Sequence, residues 1–481
     1  MPRREYFLGF ALIGSASLFC WQATQGAKPK DEMLELYGLF VDAVEKVETN
    51  YVRPVTRREL LETALEGMLQ KLDQHSTYIN TSELRQFKRQ IEGRFGGIGI
   101  QVEVDQDLGH LRVIAPMVGT PAYEGGILAG DVIMEIDGQS AEGMTPDKAV
   151  EVLTGRPGTD VKLNVLHEGS EDPETITITR AIIDIPSVLG DRRKPDDRWE
   201  LMIDQDKKIG YIRVTAFNEH TADELKKALD QLKDEGVKGL IVDLRDDPGG
   251  LLSSAVDISD MFLAKGEIVS TKGRNILPRK YEAHADGPFE DLPMVVLINQ
   301  YSASASEILA AALQDHKRAA IVGQRSYGKG SVQNIIDLDG GNSVLKLTVA
   351  SYYRPSGENI HRFPNAKPSD KWGVSPDKGL EVKLAPSEFM RWFVARQERD
   401  RDSMAKGHRK PPAAEKGKTA GGDDKPQAKP DGKSEQKKGA EKAPAKRKSA
   451  RPAGGPFLDK QLDKALEVIR ARMDGTKAKA A

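Results

Sequence analysis

Apolar residues near the start of the chain recur at intervals of three and four positions. One series runs from Leu36 to Val47 and a second from Leu60 to Leu72. This spacing places the apolar side chains on one face of an α-helix. Thr56 precedes the second series, and Glu59 follows Thr56 by the three residues that a capping box requires. We therefore predict an N-terminal helical domain over residues 29–92.

From Phe95 the pattern changes to the alternation of β-strands separated by glycine-rich turns. The sequence G-G-I-G-I-Q-V-E-V is followed by G-T-P-A-Y-E-G-G-I-L-A-G-D-V-I-M-E-I-D-G at 119–138, a helical stretch at Ala149–Leu153 and a strand at Val161–His167. The first glycines do not form a phosphate-binding loop, because no Lys-Ser or Lys-Thr pair follows them and no helix begins there.

The order of these elements resembles a PDZ domain of the permuted, bacterial-protease type, which we assign to residues 93–181. The resemblance implies that the loop of Gly97, Ile98, Gly99 and Ile100 presents backbone N–H groups to a peptide carboxylate. The neighbouring strand would then add the peptide to the sheet. A PDZ fold that acts only as a spacer is the alternative interpretation.

Continuous apolar runs alternate with helical patterns in the next region, which we assign to a core over residues 182–399. Strands are predicted at Ile209–Val214, Gly239–Leu244 and Met294–Ile298, and helices at Thr221–Glu235 and Glu307–Gln314. Fully apolar strands that alternate with helices predict a parallel sheet. The predicted fold class is therefore α/β, within a multi-domain α+β chain.

A serine-rich turn, Y-S-A-S-A-S-E, follows the predicted strand Met294–Ile298 and opens a helix. A hydroxyl at this place lies near free N–H groups and the helix dipole, which favour developing negative charge. Lys329 stands between two glycines further on, and a strand over 328–336 would put Lys329, Ser331 and Gln333 on one face. The arrangement is typical of a serine–lysine site, in which a lysine acts as base only when it is neutral.

The residues alone leave the nucleophile open among Ser302, Ser304 and Ser306. The last of these precedes Glu307 and fits a helix-capping serine. A second turn, R-D-D-P-G-G-L-L, follows the predicted strand Gly239–Leu244. Glycines directly after a buried strand can point N–H groups into a site, as an oxyanion hole requires. A tight strand-to-helix turn is the alternative explanation of these glycines.

Charge is unevenly distributed along the 481 residues, although 71 Lys and Arg nearly balance 73 Asp and Glu to a net charge of −2. Residues 401–451 hold 16 basic and 7 acidic residues, which leaves 55 basic and 66 acidic residues elsewhere. This distribution does not indicate nucleic-acid binding. Low-complexity composition predicts a disordered basic linker over 400–455. A last helix is predicted over 456–474 and is expected to pack on the core.

The N-terminus has the pattern of a secretory signal. Arg3 and Arg4 precede an apolar run from Phe7 to about Trp21, which is short for a membrane span. No clean cleavage site follows, so residues 1–28 are predicted to be a signal peptide or a signal anchor that associates the protein with the membrane. The expected location is the periplasm or the outer face of the cytoplasmic membrane.

Five motifs occur in the order found in carboxyl-terminal processing peptidases, also called tail-specific proteases, and the chain resembles that family. They are G-M-L-Q-K-L-D-Q-H-S-T-Y, the PDZ segment, D-L-R-D-D-P-G-G-L-L, S-A-S-A-S-E-I and S-Y-G-K-G-S-V-Q. The resemblance covers about residues 33–390 and the last helix. It implies a serine endopeptidase with a Ser–Lys dyad, which cleaves exported proteins near carboxyl termini that the PDZ domain captures. No metal or cofactor is implied, and a homo-oligomer stays open.

The resemblance also implies roles for individual residues. Ser304 would be the nucleophile, Lys329 the base and Gln333 the residue that orients the lysine amine. The oxyanion donors would be the backbone N–H of Ala305 and of a glycine in the pair Gly249 and Gly250.

Four positions bear on how far the resemblance extends. Asp315, eleven residues beyond Ser304, matches an acidic position implicated in some members. Arg156 lies two residues after Thr154, where some members carry an arginine that links PDZ occupancy to activation. Asp247 stands where the family commonly has Asn, and Gln74 where it has Pro.

Two other functions remain open. A PDZ adaptor could retain the protease core as a scaffold. A Ser–His–Asp hydrolase could use His316 or His361, although no G-x-S-x-G sequence surrounds Ser304.

Overall fold

The computed structural model describes residues 30–105, 107–284, 289, 291–402 and 458–480. The predicted leader over 1–28 lies outside these residues, as does nearly all of the predicted linker over 400–455. The chain divides into two compact units. The first contains Met1–Leu84 and Gln333–Thr348, and the second contains Arg85–Val332 and Val349–Ala481.

The first unit combines helices with short strands. Its elements begin with α1 (Lys30–Asn50), α2 (Arg57–Gln70), β1 (Thr77–Ile79) and the first residues of α3 (Thr81–Glu92). Two later strands also contribute, β18 (Ser331–Leu338) and β19 (Ser343–Tyr353), which pair with each other. Strand β1 pairs antiparallel with β19, and Tyr78 lies opposite Leu345.

The two N-terminal helices form where the apolar period predicts them. Thr56 caps α2, and its Oγ1 accepts a hydrogen bond of 3.1 Å from the N–H of Glu59. The apolar face of α1 is largely exposed, however, with Leu36 at 59% and Phe40 at 42%. The spacing of apolar residues therefore predicted the helix, but it carries no information about which surface covers that face.

A β-rich domain with its own core follows in the second unit. Its elements are β2 (Arg94–Gly97), β3 (Ile100–Val104), β4 (Leu111–Pro116), α4 (Pro121–Glu124), β5 (Val132–Ile136), β6 (Gln139–Ser140), α5 (Pro146–Leu153), β7 (Asp160–Leu166), β8 (Glu174–Thr179) and β9 (Ala181–Asp184). The main sheet has the order β3-β4-β5-β7-β8, so β3 is an edge strand. Buried apolar residues such as Ile133 and Leu163 fill its centre.

The larger part of the second unit is built on a mainly parallel sheet. Its strands are β10 (Val188–Leu189), β11 (Met202–Asp204), β12 (Ile209–Val214), β13 (Gly239–Asp243), β16 (Met294–Ile298) and β17 (Ala320–Gly323). The spatial order is β10-β12-β13-β16-β17, with β11 beside β12, and the last four strands of that order run parallel. All residues of β13 and β16 are buried, which explains their continuous apolar sequences.

Helices cover both faces of this sheet. One face packs against α6 (Thr221–Asp234), α7 (Leu252–Asp260) and α8 (Ala305–Asp315). The helix expected over 456–474 is α10 (Lys460–Ala480), and its Ala465, Ile469 and Met473 pack with Tyr211 and Val295 of the other face. The remaining elements are β14 (Gly266–Lys272), β15 (Arg279–Ala283) and α9 (Pro386–Asp402). Within the described residues, no helix has the length and apolar character needed to span a membrane.

One predicted strand begins later than expected. Strand β18 starts at Ser331, so Lys329 lies in the preceding loop and not on the strand face that was predicted for it. Gly328 has a φ of +87°, which an extended strand does not accommodate. The conformation of this loop is set instead by a buried carboxylate, described below.

Candidate active site

Two turns meet at the carboxyl ends of the adjacent parallel strands β13 and β16. The Ser302 hydroxyl donates to the Leu244 carbonyl oxygen at 2.7 Å, and the Ala303 N–H donates to the Asp247 carbonyl oxygen at 3.0 Å. Asp246 and Asn299 exchange two further hydrogen bonds of 3.1 and 3.0 Å. Ligands of parallel α/β sheets bind beyond the carboxyl ends of the strands, so these turns occupy the expected place for a site.

Ser304 differs from its two neighbouring serines in exposure and bonding. Ser302 and Ser306 are fully buried, and their hydroxyls donate to the carbonyl oxygens of Leu244 and Asp247 respectively. Within the described residues, the Ser304 hydroxyl donates to no such carbonyl oxygen, and the residue is 7% exposed. The structure therefore favours Ser304 among the three serines that the sequence left open.

The backbone of Ser304 is strained. Its φ of +57° and ψ of −113° lie outside the regions that side-chain-bearing residues ordinarily adopt. Such a conformation costs on the order of 1–3 kcal/mol and persists only where surrounding contacts impose it. The residue stands at the N-cap of α8, so this turn places its hydroxyl at the start of a helix.

Glu307 contacts both the serine turn and the loop that carries Lys329, and its side chain is completely buried. Its Oε2 accepts hydrogen bonds of 2.8 Å from both the Ser304 N–H and the Lys329 N–H. Its Oε1 accepts hydrogen bonds of 2.6 Å from the Ser326 hydroxyl and the Gly328 N–H. One carboxylate thus binds the backbone of the serine turn and the backbone of the lysine loop.

The electrostatics of Glu307 follow from this arrangement. Burial raises the pKa of its carboxyl group, and the four hydrogen bonds oppose that rise because they stabilise the ionised form. Both main-chain nitrogens, of Ser304 and Lys329, lie 2.8 Å from the same oxygen. The structure therefore brings together the two residues that the sequence proposed as nucleophile and base, although they are 25 positions apart.

Gly249 packs directly against the serine turn. A Cβ atom at this position would lie 2.4 Å from the Ala303 carbonyl oxygen and 2.7 Å from the Ala305 nitrogen, and the φ of Gly249 is +88°. The close approach leaves no room for a side chain, and the positive φ is one that glycine adopts without strain, so both features require glycine. The approach brings the glycine turn against the first N–H of α8, that of Ala305, which has no partner earlier in the helix.

The two glycines of the turn differ in what their N–H groups do. The Gly249 N–H donates to the Asp247 Oδ1 at 2.8 Å. Gly250 is exposed, and its N–H donates to no group in the described part of the chain. Of the predicted oxyanion donors, Gly250 and Ala305 are therefore the two whose N–H groups are not engaged in the turn itself.

Asp247 is buried without a charged partner. It is completely inaccessible, and its Oδ2 makes no hydrogen bond within the described residues. Burial raises the pKa of this carboxyl group well above its usual range, and the Gly249 N–H opposes the rise only in part. Asp247 therefore holds its proton to a higher pH than an exposed carboxyl group does.

The other predicted catalytic and supporting residues belong to other elements of the fold. Gln333 belongs to the first unit, on β18, and its Nε2 donates to the Thr348 Oγ1 at 3.2 Å. Asp315 ends α8, roughly 16 Å along the helix from Ser304 at 1.5 Å per residue. Its carboxylate binds Arg354 at 2.6 and 3.0 Å. Arg156 is exposed in the loop after α5.

The predicted peptide-binding loop borders an apolar groove. The residues Gly97, Ile98, Gly99 and Ile100 link β2 to the edge strand β3, which lies beside α5. A cavity of ≈ 260 Å³ lies here, lined by Phe95, Ile98, Gly99, Ile100, Val102, Val150, Leu153, Thr154, Ile185 and, from α3, Gln86, Arg89 and Gln90. An edge strand beside an apolar groove can bind an extended peptide.

Comparisons with known proteins agree with both parts of this description. Residues 86–166 match the model of the PDZ domain, and residues 208–378 match the model of peptidase family S41. A carboxy-terminal-processing protease from Bartonella bacilliformis is 37% identical over 420 residues, which cover 84% of this chain and 91% of that protein. The chain belongs to this protease family.

Other members of the family show comparable similarity. The carboxy-terminal processing protease CtpA of Bacillus subtilis is 34% identical over 360 residues, covering 71% of this chain and 74% of that protein. Among solved structures, the photosystem II D1 C-terminal processing protease is 29% identical, with a TM-score of 0.38 over 72% of this chain and 92% of its own. The family models and the curated relatives confirm the predicted family and PDZ domain. The mainly parallel sheet, with helices on both faces, confirms the predicted α/β fold class.

Glu307 is the main site residue that the sequence reasoning did not identify. The spacing of Ser304 and Glu307 is that of a capping box, but the sequence reasoning assigned the capping role to Ser306. With Ser304 as the N-cap, a capping box predicts the bond from the Ser304 N–H to the Glu307 side chain. The bonds to Gly328 and Lys329 leave no such signal, because any residue except proline offers a backbone N–H.

Replacing Glu307 by Gln should damage both the site and the fold. The amide keeps one acceptor oxygen and presents an NH₂ group to buried donors, so at least one N–H loses its partner. We expect the free energy of unfolding to fall by about 2–3 kcal/mol and peptide cleavage to fall at least about tenfold. Urea denaturation and a peptide-cleavage assay measure the two effects. The matched control is Glu398→Gln on the exposed face of α9, and equal behaviour of the two variants would refute the role of Glu307.

Replacing Asp247 by Asn should change how stability depends on pH. In the unfolded chain this carboxyl ionises near pH 3.9, whereas in the folded protein it keeps its proton to a higher pH. Wild-type stability is therefore lost as pH rises between the two pKa values, and Asn cannot titrate. The stability of the variant relative to wild type should rise from pH 4 to pH 7.5 in urea denaturation. Asp234→Asn, at the exposed end of α6, should show no such trend, and a pH-independent difference for Asp247→Asn would contradict the prediction.

Proposed function

We propose that this protein is a serine endopeptidase of the Ser–Lys type that cleaves exported protein substrates near their carboxyl termini. The observation that carries the proposal is the convergence of Ser304 and Lys329 on the Glu307 carboxylate. Two further observations support the same assignment. The backbone of Ser304 is strained, and the hydroxyls of Ser302 and Ser306, unlike that of Ser304, donate to carbonyl oxygens of the other turn. Membership of the carboxy-terminal processing protease family supports the reaction class.

In the proposed reaction, the Ser304 hydroxyl oxygen attacks the carbonyl carbon of the scissile peptide bond. Neutral Lys329 takes the hydroxyl proton at Nζ, and the resulting ammonium gives that proton to the leaving amine as the C–N bond breaks. Water then attacks the acyl ester while Lys329 acts as base again, and the serine is regenerated. Gln333 is proposed to orient the lysine amine through these steps.

Charge on the tetrahedral intermediate needs N–H donors near Ser304. We propose the backbone N–H groups of Ala305 and Gly250, because the Gly249 N–H is used by Asp247. The Ala305 group also lies at the start of α8, where the helix dipole favours an oxyanion. Gly249 contributes by its lack of a side chain, since this allows the glycine turn to approach the serine turn.

The PDZ domain is proposed to capture the carboxyl end of the substrate. The loop from Gly97 to Ile100 would bind the terminal carboxylate, and the peptide would extend β3 as an added strand. The groove between β3 and α5 has an apolar lining that includes Val102 and Val150, which favours an apolar terminal side chain. Arg156 and Asp315 are proposed to have supporting roles only. Arg156 lies in the loop after α5 of the PDZ domain, and Asp315 forms the salt bridge to Arg354.

Location and assembly are also proposals. The leader pattern over 1–28 supports export to the periplasm or to the outer face of the cytoplasmic membrane, by a signal peptide or a retained signal anchor. A homo-oligomer is proposed on the exposed apolar residues that share one face of α1, among them Leu36, Leu39 and Phe40. Contiguous exposed apolar surface of this kind marks interaction sites on soluble proteins.

A PDZ adaptor with an inert protease core is the second candidate, on the evidence of the formed peptide groove. The hydrolase that would use His316 is disfavoured, since His316 follows α8 at the end opposite Ser304. Cleavage by wild-type protein together with loss in the dyad variants separates these candidates. Retention of full activity when both His316 and His361 are replaced would remove the histidine mechanism.

Ser304→Ala and Lys329→Ala should each lower kcat/KM for a peptide with an apolar carboxyl end by at least about 10³-fold. Lys329→Arg should be equally inactive, because arginine keeps its proton and cannot act as a base. Mass spectrometry of the products identifies the cleaved bond. Ser253→Ala on α7 and Lys378→Ala, both at exposed positions, are the matched controls. Substantial cleavage by any of the three dyad variants would refute the assignment.

Val150→Lys should weaken substrate capture without changing the chemical step. A charged side chain in the apolar groove opposes an apolar terminal residue, so KM should rise about tenfold while kcat at saturation stays within about twofold. Leu108→Lys is the control, because Leu108 is 50% exposed in the turn between β3 and β4 and does not line the groove. An equal effect of both substitutions, or none from Val150→Lys, would count against capture in this groove.

A further inference from the structure

The first unit contains a chain of hydrogen bonds that ends on the amide of Gln333. The Gln333 Nε2 donates to the Thr348 Oγ1 at 3.2 Å, and the Thr348 Oγ1 donates to the Asp73 Oδ1 at 3.2 Å. All three residues of this hydrogen-bond network lie in the first unit. Asp73 is in the loop before β1, Gln333 is on β18 and Thr348 is on β19. The Asp73 loop belongs to the motif D-Q-H-S-T-Y, to which no function has been given above.

Asp73 is held rigidly by its own loop. Its Oδ1 accepts from the N–H groups of His75 and Ser76 at 2.7 and 2.9 Å, and its Oδ2 accepts from the Ser76 hydroxyl at 2.7 Å. Burial would raise the pKa of Asp73, but these bonds and the Thr348 hydroxyl hold it below the usual value. The carboxylate is therefore ionised at neutral pH and can only accept hydrogen bonds.

Thr348 is fixed to the same loop by a second bond. Its backbone N–H donates to the Ser76 Oγ at 3.0 Å, so the backbone and the hydroxyl of Thr348 are both positioned. Because Asp73 can only accept, the single hydroxyl proton of Thr348 must point at Asp73. The Thr348 oxygen then faces Gln333 with a lone pair and can only accept from it.

This sequence of donors and acceptors determines the orientation of the Gln333 amide. The atom that faces Thr348 must be the NH₂ group, so the carbonyl oxygen Oε1 is the atom that the amide presents on its other side. An amide oxygen accepts hydrogen bonds from a lysine amine, whereas an NH₂ group would compete for the lone pair that a lysine base needs. The orientation is thus the one required of a residue that directs a lysine base toward a hydroxyl.

We propose that Asp73 and Thr348 are positioning residues, which fix the Gln333 amide so that its carbonyl oxygen orients the base. The inference rests on the proposed Ser–Lys function, since it assigns Gln333 the role of orienting Lys329. It gives a role to the motif D-Q-H-S-T-Y, because the loop before β1 determines the orientation of an amide more than 250 residues later in the sequence.

The test is a set of substitutions at Thr348. Thr348→Val keeps the β-branched shape that a strand favours and removes the hydroxyl oxygen, so the Gln333 NH₂ group loses the acceptor that faces it. We expect kcat to fall about 10- to 100-fold with KM within about twofold of wild type. Thr348→Ser restores the hydroxyl and should recover most of kcat. The matched control is Thr77→Val on β1, which should leave kcat unchanged. Among the described residues, the Thr77 hydroxyl bonds to the Tyr78 carbonyl oxygen alone, at 3.2 Å.

A double-mutant cycle separates positioning from general damage. If Thr348 acts through Gln333, then Thr348→Val should cost little further activity in a Gln333→Ala background. Equal losses in both backgrounds, a loss that Thr348→Ser does not recover, or full kcat in Thr348→Val would each overturn the proposal. Should the valine variant not fold at the assay temperature, Asp73→Ala enters the same cycle and should likewise lose its effect when Gln333 is absent.

Failure of the proposed function and failure of the positioning role give different results. Cleavage by Ser304→Ala would reject the proposed function whatever the Thr348 variants do. An inactive Ser304→Ala together with a fully active Thr348→Val would leave the function standing and reject only the positioning role of Thr348 and Asp73.

Discussion

The candidate site depends on one buried carboxylate. Glu307 accepts four hydrogen bonds, two on each oxygen, from the serine turn and from the loop that carries Lys329. Burying a carboxylate is costly unless its acceptor sites are filled, and here backbone N–H groups fill most of them. One of these bonds comes from the N–H of Ser304, whose backbone angles are unfavourable, so the same set of contacts stabilises the buried carboxylate and holds the strained turn.

The parallel sheet supplies the frame in which this carboxylate can act. Strands β13 and β16 end side by side, and their two following turns are joined by bonds from Ser302, Ala303 and Ser306 to carbonyl oxygens of the other turn. Gly249 lets the turns approach within contact distance of the start of α8. Ser302 and Ser306 thereby make structural hydrogen bonds. Ser304 lies in the turn that these bonds hold together.

Much of this was predictable from the sequence, for physical reasons that differ between elements. The strand Met294–Ile298 is buried on both faces, so five successive apolar residues reveal it. The early start predicted for β18 was wrong, because the backbone N–H groups of Gly328 and Lys329 bind Glu307 more than twenty residues earlier. Long-range bonds to main-chain atoms leave no pattern in the sequence. The exposed face of α1 and the amide orientation of Gln333 escaped prediction for the same reason, since each depends on which groups face one another in space.

The use of main-chain atoms at the site has a consequence for how its chemistry can be altered. The Glu307 carboxylate binds the main-chain nitrogen atoms of Ser304 and Lys329. Exchanging either side chain therefore leaves in place the N–H groups that join the serine turn to the lysine loop. Under the proposed function, such variants would lose a reacting group and still hold a substrate in register, which would make them suitable traps for recovering the proteins on which this protein acts.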